Sequence, residues 1–203
     1  MLLKPISDVI QSLDINTIPT ERKQTLKPLI NYLKEKNKTN EAIRLNFICT
    51  HNSRRSHISQ IWAQTLAAYY KIDKVSTYSG GTEATAMFPK VGETIINQGF
   101  KVVKLSEGKN PIYSIKYSEN EPAIIAFSKQ YGDEFNPSSK FAAIMTCSSA
   151  DEGCPMVFGC DKRIAITYED PKQSDGTPHQ TETYKNRSLQ IATEMKYVFS
   201  SLN

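Results

Sequence analysis

The pattern of apolar and polar residues changes along the chain, and each change predicts a different element. Residues 44–49, RLNFIC, are a short and mostly apolar run, which is typical of a buried strand. The segment after the next polar loop has apolar residues at helical spacing, namely Ile58, Ile61, Trp62, Leu66 and Tyr69. This part of the chain is therefore predicted to form a strand, a loop and a helix.

Similar alternation continues towards the C-terminus. Strand-like runs are found at residues 74–81, 100–105, 141–147 and 161–168, and a helical pattern beginning at Pro89 separates the first two of them. Strands that alternate with helices at this spacing indicate an α/β fold. We predict a central parallel sheet of about four strands, flanked by helices.

Two parts of the chain depart from this pattern. Residues 1–40 contain Leu26, Leu29, Ile30 and Leu33 at helical spacing, so we expect an N-terminal helical extension that packs on the main body. We expect residues 41–203 to form the α/β domain and to end in a helix that begins near residue 180. Residues 106–140 are irregular and interrupt the domain as an inserted hairpin or excursion.

The composition narrows the class of protein. Lys and Arg number 25 against 21 Asp and Glu, a formal charge of +4, which is too small an excess to indicate nucleic-acid binding. No apolar run reaches the roughly 20 residues that cross a membrane, and the N-terminus does not resemble a signal peptide. We therefore expect a cytoplasmic protein. Its 4 cysteines are too few for a disulfide framework, so their positions matter more than their number.

The first cysteine lies where chemistry is expected. Cys49 ends a predicted strand, Arg55 follows it in a polar loop, and a helix begins directly afterwards. A loop of this kind can turn its N–H groups inward beside the positive end of the helix, which forms a cradle for an oxyanion and favours a thiolate. The guanidinium of Arg55 can hold two oxygens of a tetrahedral anion. The predicted oxyanion-binding residues are Thr50, His51, Asn52, Ser53, Arg54, Arg55 and Ser56.

Plainer interpretations remain open for several of these residues. Cys49 could be a buried cysteine that merely precedes a basic helix start. The side chains of His51 and Arg54 are expected to face outward, as an exposed basic rim or as groups that tune the charge at the mouth of the pocket. His57, in the first turn of the helix, is expected at the surface.

A second pair of cysteines lies in the segment CSSADEGCP. Cys147 ends a predicted strand, and Cys154 follows seven positions later in a polar loop. Two thiols on a loop near a third in an electropositive cradle could pass a disulfide by thiol exchange. The alternatives are incidental thiols or half of a zinc site completed by Cys160 and His179, although the spacing is not typical of zinc ligands.

Asp170 is the candidate general acid. It follows a predicted strand, and Pro171 restricts its backbone to extended conformations, which would help to aim the carboxyl group. An aspartate that simply opens a turn is the alternative. The residues that follow, Lys172, Gln173 and Ser174, offer an aryl substrate little to stack on.

The segment CTHNSRRS, with its amphipathic helix, resembles the phosphate-binding loop of the low-molecular-weight protein tyrosine phosphatase fold, and the similarity extends over about residues 44–203. Phosphatases and thioredoxin-coupled arsenate reductases share this fold. CSSADEGCP resembles the redox loop of the reductases. Some of those reductases hold a potassium ion with a carboxylate, and the corresponding position here is Gln60, which puts that ion site in doubt.

The resemblance implies reduction of arsenate to arsenite. Cys49 would attack arsenic, Arg55 would bind the oxyanion, and Asp170 would protonate a leaving oxygen. Cys147 would then form a disulfide with Cys49, Cys154 would transfer that disulfide to the Cys147–Cys154 pair, and thioredoxin would reduce it, with no cofactor. Two alternatives stay open: phosphomonoester hydrolysis by Cys49, Arg55 and Asp170, with the other thiols protecting the nucleophile, and a non-enzymatic oxyanion or redox sensor.

Overall fold

Four parallel strands form the central sheet in this computed structural model, which describes residues 1–153 and 156–202. A smaller sheet of three strands accompanies it. In chain order, the strands of the two sheets in the described residues are β1 (Ile43–Cys49), β2 (Val75–Gly81), β3 (Lys101–Lys104), β4 (Tyr113–Lys116), β5 (Ile124–Ala126), β6 (Phe141–Met145) and β7 (Cys160–Ala165). The order in the central sheet is β2-β1-β6-β7, and all neighbouring pairs are parallel. The predicted α/β class and parallel sheet are therefore confirmed.

Helices pack around this sheet. In the described residues they are α1 (Lys4–Ser12), α2 (Thr20–Lys38), α3 (Arg55–Tyr69), α4 (Pro89–Asn97), α5 (Ser148–Gly153) and α6 (Gln180–Ser200), with short 3₁₀ helices at Ile15–Thr17 and Pro171–Ser174. Helix α4 begins at Pro89 and is followed by Gly99 with a φ of +99°, so proline and glycine mark its two ends. None of the helices in the described ranges combines the length and the apolar character needed to cross a membrane.

The two faces of the central sheet bury different clusters. On β1, Leu45 and Phe47 point into the large core, whereas Ile48 belongs to a smaller cluster on the opposite face. The large core includes Trp62 of α3, whose ring meets that of Phe100 edge to face at 5.1 Å. The smaller cluster, which includes two of the cysteines, consists of Ile48, Cys49, Phe141, Ala143, Met145, Cys147, Ala150 and Val157.

The N-terminal helices pack on the large core. Leu26, Leu29 and Leu33 of α2 are buried there, as their helical spacing predicts. Pro28 lies inside α2, where the helix continues without its N–H group. Helix α2 contacts α6, β1 and β7, so the first forty residues share the core of the sheet.

The strand predicted at residues 100–105 forms, but it does not join the parallel sheet. It becomes β3 of a separate antiparallel sheet with the order β3-β4-β5, so the expectation that it continues the parallel alternation is wrong. The outer edge of β2 is already occupied by side chains of α3. Gln60 donates to Thr77 O at 3.0 Å and Gln64 donates to Val75 O at 3.1 Å, which satisfies an edge that another strand would otherwise pair with.

Candidate active site

The loop of residues 49–56, called the nucleophile loop after the candidate nucleophile Cys49, joins the carboxyl end of β1 to the start of α3. Cys49 is the last residue of β1 and is only 3% exposed. Helix α3 begins at Arg55, and Asn52 in the loop has a φ of +43°, a left-handed conformation that asparagine tolerates better than most residues. The thiol therefore lies at the amino end of a 15-residue helix, where the helix dipole favours negative charge.

Side chains hold the loop in this shape. The Cys49 sulfur lies 3.1 Å from Ser56 Oγ, and Asn52 Nδ2 donates to the same oxygen at 2.8 Å. The other end of the Asn52 amide accepts a hydrogen bond of 2.9 Å from the backbone N–H of Lys129. Asn52 thus links the Cys49 loop to the segment that follows β5.

Neighbouring segments bind the outer side of the loop. Thr82 donates through its hydroxyl to Thr50 O at 3.1 Å, and Ser128 donates to His51 O at 3.0 Å. Gly81 approaches so closely that a Cβ atom there would lie 2.6 Å from Thr50 O, which explains why a glycine is needed. The loop carbonyls are therefore engaged on its outer side.

The backbone N–H groups of the loop, unlike its carbonyl groups, lack partners in the described part of the chain. Within residues 1–153 and 156–202, no acceptor is found for the N–H groups of residues 50–54. Asn52 and Ser53 are buried, so unpaired donors at these positions cost free energy unless an acceptor binds there. A tetrahedral oxyanion supplies acceptors of this kind.

Arg55 and Asp170 meet beside the thiol. Arg55 Nη2 donates to Asp170 Oδ2 at 2.6 Å, and Arg55 Nη1 donates to Tyr168 O at 3.0 Å. Asp170 also accepts from Lys172 N at 3.1 Å, so it caps the 3₁₀ helix that follows. A small cavity lies between these groups and the loop, lined by Cys49, His51, Ser53, Arg54, Arg55 and Asp170.

Cys147 lies next to the nucleophile loop. Its sulfur is 3.5 Å from Thr50 Oγ1 and accepts a hydrogen bond of 3.3 Å from the N–H of Ala150 in α5. Cys147 is 1% exposed and shares the smaller apolar cluster with Cys49. The structure thus brings Cys49, Arg55, Asp170 and Cys147 to one edge of the sheet, although they are far apart in sequence.

No protein-family profile matches the chain, and no curated protein sequence is significantly similar to it. Solved structures do match. A low-molecular-weight phosphotyrosine phosphatase from Vibrio cholerae O395 aligns with a TM-score of 0.51 and 10% identity, over 78% of this chain and 95% of that one. An arsenate reductase in its oxidized state aligns with a TM-score of 0.51 and 17% identity, over 79% of this chain and 98% of that one.

A third match is the YwlE arginine phosphatase in a mutant with a phosphorylated active-site serine, with a TM-score of 0.51 and 14% identity, over 79% of this chain and 95% of that one. This chain has the low-molecular-weight phosphatase fold. Identities of 10–17% show the fold alone, and proteins with different reactions are found among these neighbours. The side chains, rather than the fold, decide the reaction.

The two adjacent arginines of this phosphatase-fold loop have separate partners. Unlike Arg55, Arg54 donates to Tyr184 OH and to Asp175 Oδ2, both at 2.6 Å, and its guanidinium lies 4.1 Å from the ring centroid of Phe88. Burial opposes ionisation of Asp175, but hydrogen bonds from Tyr184, Gln180 and Arg54 outweigh it and lower the pKa of Asp175. The Arg54 side chain is therefore engaged, rather than forming an exposed rim, and only its backbone N–H remains for an anion. His51 is exposed, 3.6 Å from Glu83.

The expectation that His57 lies at the surface is wrong. His57 is fully buried behind the loop, and its Nδ1 lies 3.2 Å from Ser79 Oγ. Burial, together with the charge of Lys129, lowers the pKa of His57 to about 3. The helical period of α3 places His57 against the sheet, where an uncharged imidazole can pack.

Sequence reasoning missed the contribution of the inserted segment. Ser128 and Lys129 both bond to the nucleophile loop, and Lys129 is 2% exposed with its ammonium 4.2 Å from the ring centroid of Phe127. Burial lowers the pKa of Lys129 to about 8. No local signal marks these residues, because they follow a short strand in a segment without regular periodicity.

The remaining cysteines lie apart or outside the described chain. Cys154, predicted to resolve the disulfide, is outside the described residues. Cys160 is half-buried at the start of β7, paired with Phe141 at the start of β6, whereas Cys49 ends β1 and Cys147 lies just beyond the end of β6. Burial raises the pKa of the Cys160 thiol. Within residues 1–153 and 156–202, no group of three His, Cys, Asp or Glu side chains is arranged to hold a metal ion.

Proposed function

We propose that this protein is a cysteine-dependent enzyme that binds a small tetrahedral oxyanion and reduces arsenate to arsenite by a thiol–disulfide relay. One observation carries the proposal. The Cys147 sulfur contacts Thr50, the residue next to Cys49, from within the same buried cluster. A hydrolase of this fold needs one nucleophilic thiol, whereas a relay needs a second thiol at this position.

In the first step, the Cys49 thiolate attacks arsenic and an As–O bond breaks. The unpaired loop N–H groups and the guanidinium of Arg55 hold the anion, and Asp170 gives its proton to the departing oxygen, which leaves as water. The 2.6 Å contact between Arg55 and Asp170 supports the position of this carboxyl group beside the group that binds the oxyanion. Asp170 would take up its proton from solvent when the anion replaces it on the Arg55 guanidinium. The product is an S–As(V) bond on Cys49.

In the second step, the Cys147 thiolate attacks the sulfur of Cys49. A Cys49–Cys147 disulfide forms, and the electron pair of the S–As bond stays on arsenic, which leaves as arsenite, As(III). The N–H of Ala150, which donates to the Cys147 sulfur at 3.3 Å, supports this step because it orients the sulfur beside Thr50 and Cys49. Cys154 would then attack Cys147 and release Cys49 as a thiol, and thioredoxin would reduce the Cys147–Cys154 disulfide.

Phosphomonoester hydrolysis is the second candidate. The contacts among Cys49, Ser56, Arg55 and Asp170 favour it as strongly as they favour arsenate reduction, since both begin with attack on a tetrahedral oxyanion. In this alternative, water hydrolyses a phosphocysteine, and Cys147 takes no part in turnover. The two functions therefore differ in their dependence on Cys147.

The experiment compares arsenate-dependent oxidation of NADPH, coupled through thioredoxin and thioredoxin reductase, with hydrolysis of an aryl phosphate. Cys147→Ser is expected to reduce the arsenate reaction by about 10³-fold or more, because no thiol remains to release arsenite. Cys160→Ser is the matched control and is expected to retain both activities, since Cys160 lies at the far end of its strand.

Hydrolysis without arsenate turnover, unaffected by Cys147→Ser, would overturn the reductase proposal in favour of a phosphatase. If wild type catalyses neither reaction but binds oxyanions, the sensor interpretation would replace both. Arsenate turnover that survives Cys147→Ser would exclude the relay.

A further inference from the structure

The N-terminal helix α2 reaches a buried carboxylate of α6 through one arginine. Arg22 Nε and Nη2 donate to the two oxygens of Glu194 at 2.9 and 2.8 Å, a bidentate ion pair. The side chain of Glu194 is 4% exposed and that of Arg22 is 19% exposed. A pair this well shielded fixes the orientation of both side chains more strongly than a surface ion pair does.

Tyr168 completes the group, which we call the Arg22 triad: Arg22, Glu194 and Tyr168. The Tyr168 hydroxyl donates to Glu194 Oε2 at 2.8 Å, and the Arg22 guanidinium lies 4.8 Å from the centroid of the Tyr168 ring. Burial and the nearby charge of Glu194 raise the pKa of Tyr168 well above its ordinary value, so its hydroxyl keeps the proton that it donates. The N-terminal helix α2 thus contacts one face of the Tyr168 ring, and α6 binds its hydroxyl.

The backbone of Tyr168 leads directly into the candidate active site. Its carbonyl accepts the hydrogen bond of 3.0 Å from Arg55 Nη1, and Asp170, two residues later, accepts that of 2.6 Å from Arg55 Nη2. Arg55 is therefore held on both amino groups by the segment 168–170. Where the Tyr168 backbone lies decides where the Arg55 guanidinium and the Asp170 carboxyl point.

We propose that Arg22 is a positioning residue for the oxyanion site, acting through Glu194 and Tyr168 on Arg55 and Asp170. The inference rests on the proposed role of Arg55 in binding an oxyanion, but it is the same whether arsenic or phosphorus is attacked. Through Arg22, the N-terminal helix α2 would influence oxyanion binding as well as cover the core.

The test measures inorganic phosphate affinity by calorimetry on the full-length Cys49→Ser protein, which removes the nucleophile and any turnover. Arg22→Met is expected to weaken phosphate binding by about 10-fold, about 1.4 kcal/mol, because the Tyr168 carbonyl no longer holds Arg55 in one orientation. Arg22→Lys is expected to restore only part of the affinity, since an ammonium cannot make the bidentate contact.

Lys196→Met is the matched control. Lys196 donates to Ile10 O at 2.8 Å and Leu13 O at 2.6 Å, so it also ties the N-terminal segment to α6 with a cation, but it does not contact Tyr168 or Glu194. It is expected to lower the melting temperature while changing the phosphate dissociation constant by less than about 2-fold.

The double variant Arg22→Met/Glu194→Gln distinguishes an effect on the position of Arg55 from an effect on the stability of the protein. It removes the uncompensated buried charge and is expected to regain melting temperature. Phosphate affinity stays weak because Tyr168 has lost the guanidinium over its ring and the charged acceptor at its hydroxyl, although it keeps the backbone bond of 3.1 Å to Thr146 O. Equal losses of affinity in Arg22→Met and Lys196→Met, or recovery of affinity in step with melting temperature, would overturn the proposal. If the Cys49→Ser protein binds no phosphate, the oxyanion site fails and this inference fails with it. Phosphate binding without arsenate turnover in wild type would contradict only the reductase function.

Discussion

The nucleophile loop and the segment that carries Cys147 lie side by side, yet they are held in different ways. The loop is bonded within itself and from outside: Asn52 bridges Ser56 and Lys129, and Ser128 binds the carbonyl of His51. Its partners come from the strand end, the helix start and the inserted segment. The anion site is therefore built before any ligand arrives.

The Cys147 segment, residues 147–153, is held by a short helix and by contacts of its own side chains. Helix α5 is 6 residues long, and its described ion pair joins Asp151 to Arg163 at 2.6 Å. The Cys147 sulfur is held by Ala150 N and Thr50 Oγ1. Thiol exchange needs sulfur atoms to approach one another in line, and the Cys147 sulfur lies beside Thr50, the residue next to Cys49. Under the proposed function, the loop would bind and activate the oxyanion and the Cys147 segment would carry out the thiol exchange.

Of the substitutions around the nucleophile loop, Asp170→Asn is expected to lower the reaction rate most. Without its proton donor, the first chemical step in both arsenate reduction and aryl phosphate hydrolysis is expected to slow by about 10²–10³-fold. Rapid-quench measurement of the first turnover tests this. Glu169→Gln is the control, because Glu169 is a neighbouring carboxylate that is exposed and pairs with Arg187. Wild-type rates in Asp170→Asn would remove Asp170 from the mechanism.

Asn52→Ala tests the hydrogen bonds that hold the nucleophile loop, and it is expected to lower the reaction rate less than Asp170→Asn does. It removes the bonds to Ser56 and to Lys129 N, so both reactions are expected to fall together by about 10-fold, with a stability loss of about 1–3 kcal/mol. Asn136→Ala is the comparison variant, since the buried Asn136 amide bonds to Ser79 O outside the loop. If Asn52→Ala lost arsenate reduction but kept hydrolysis, the nucleophile loop would serve the thiol exchange as well as oxyanion binding, which would contradict the comparison.

His57→Gln gives the smallest effect, visible in stability rather than rate. The pKa of His57 is about 3 in the folded protein, below the ordinary 6.5, so the unfolded chain binds the proton first as the pH falls. Wild type should therefore lose stability below about pH 6.5, by about 2 kcal/mol at pH 5 from this group. Urea unfolding at pH 7 and pH 5 measures it, and His57→Gln should lack this part of the loss. His179→Gln, at an exposed position, should behave as wild type.

Local patterns predict the elements of this fold but not their long-range partners. The spacing of apolar residues is sufficient for β1, α4 and α6, because each buries one face against a common core. The outcome for β3 depends on Gln60 and Gln64, whose side chains occupy the edge of β2. Nothing in the sequence near residue 100 carries that information.

The same limit applies within the candidate site. Cys49, Arg55 and Asp170 can be proposed from residue type and position at strand ends. Arg54 and Arg55 look equivalent in sequence, but one binds Asp175 and the other Asp170, and only the folded chain separates them. The roles of Ser128 and Lys129 likewise depend on contacts between segments about 77 residues apart.

The most direct measurement of the relay uses the double variant Cys154→Ser/Cys160→Ser, in which Cys49 and Cys147 are the remaining cysteines. Trypsin would leave Cys147, Cys154 and Cys160 on one peptide, residues 141–162, so the double variant makes the pairing unambiguous. After one equivalent of arsenate, we expect about one arsenite per chain and an intact mass lower by a pair of hydrogen atoms, from the Cys49–Cys147 disulfide. Two free thiols after arsenate treatment, or arsenite released without a disulfide, would contradict the account.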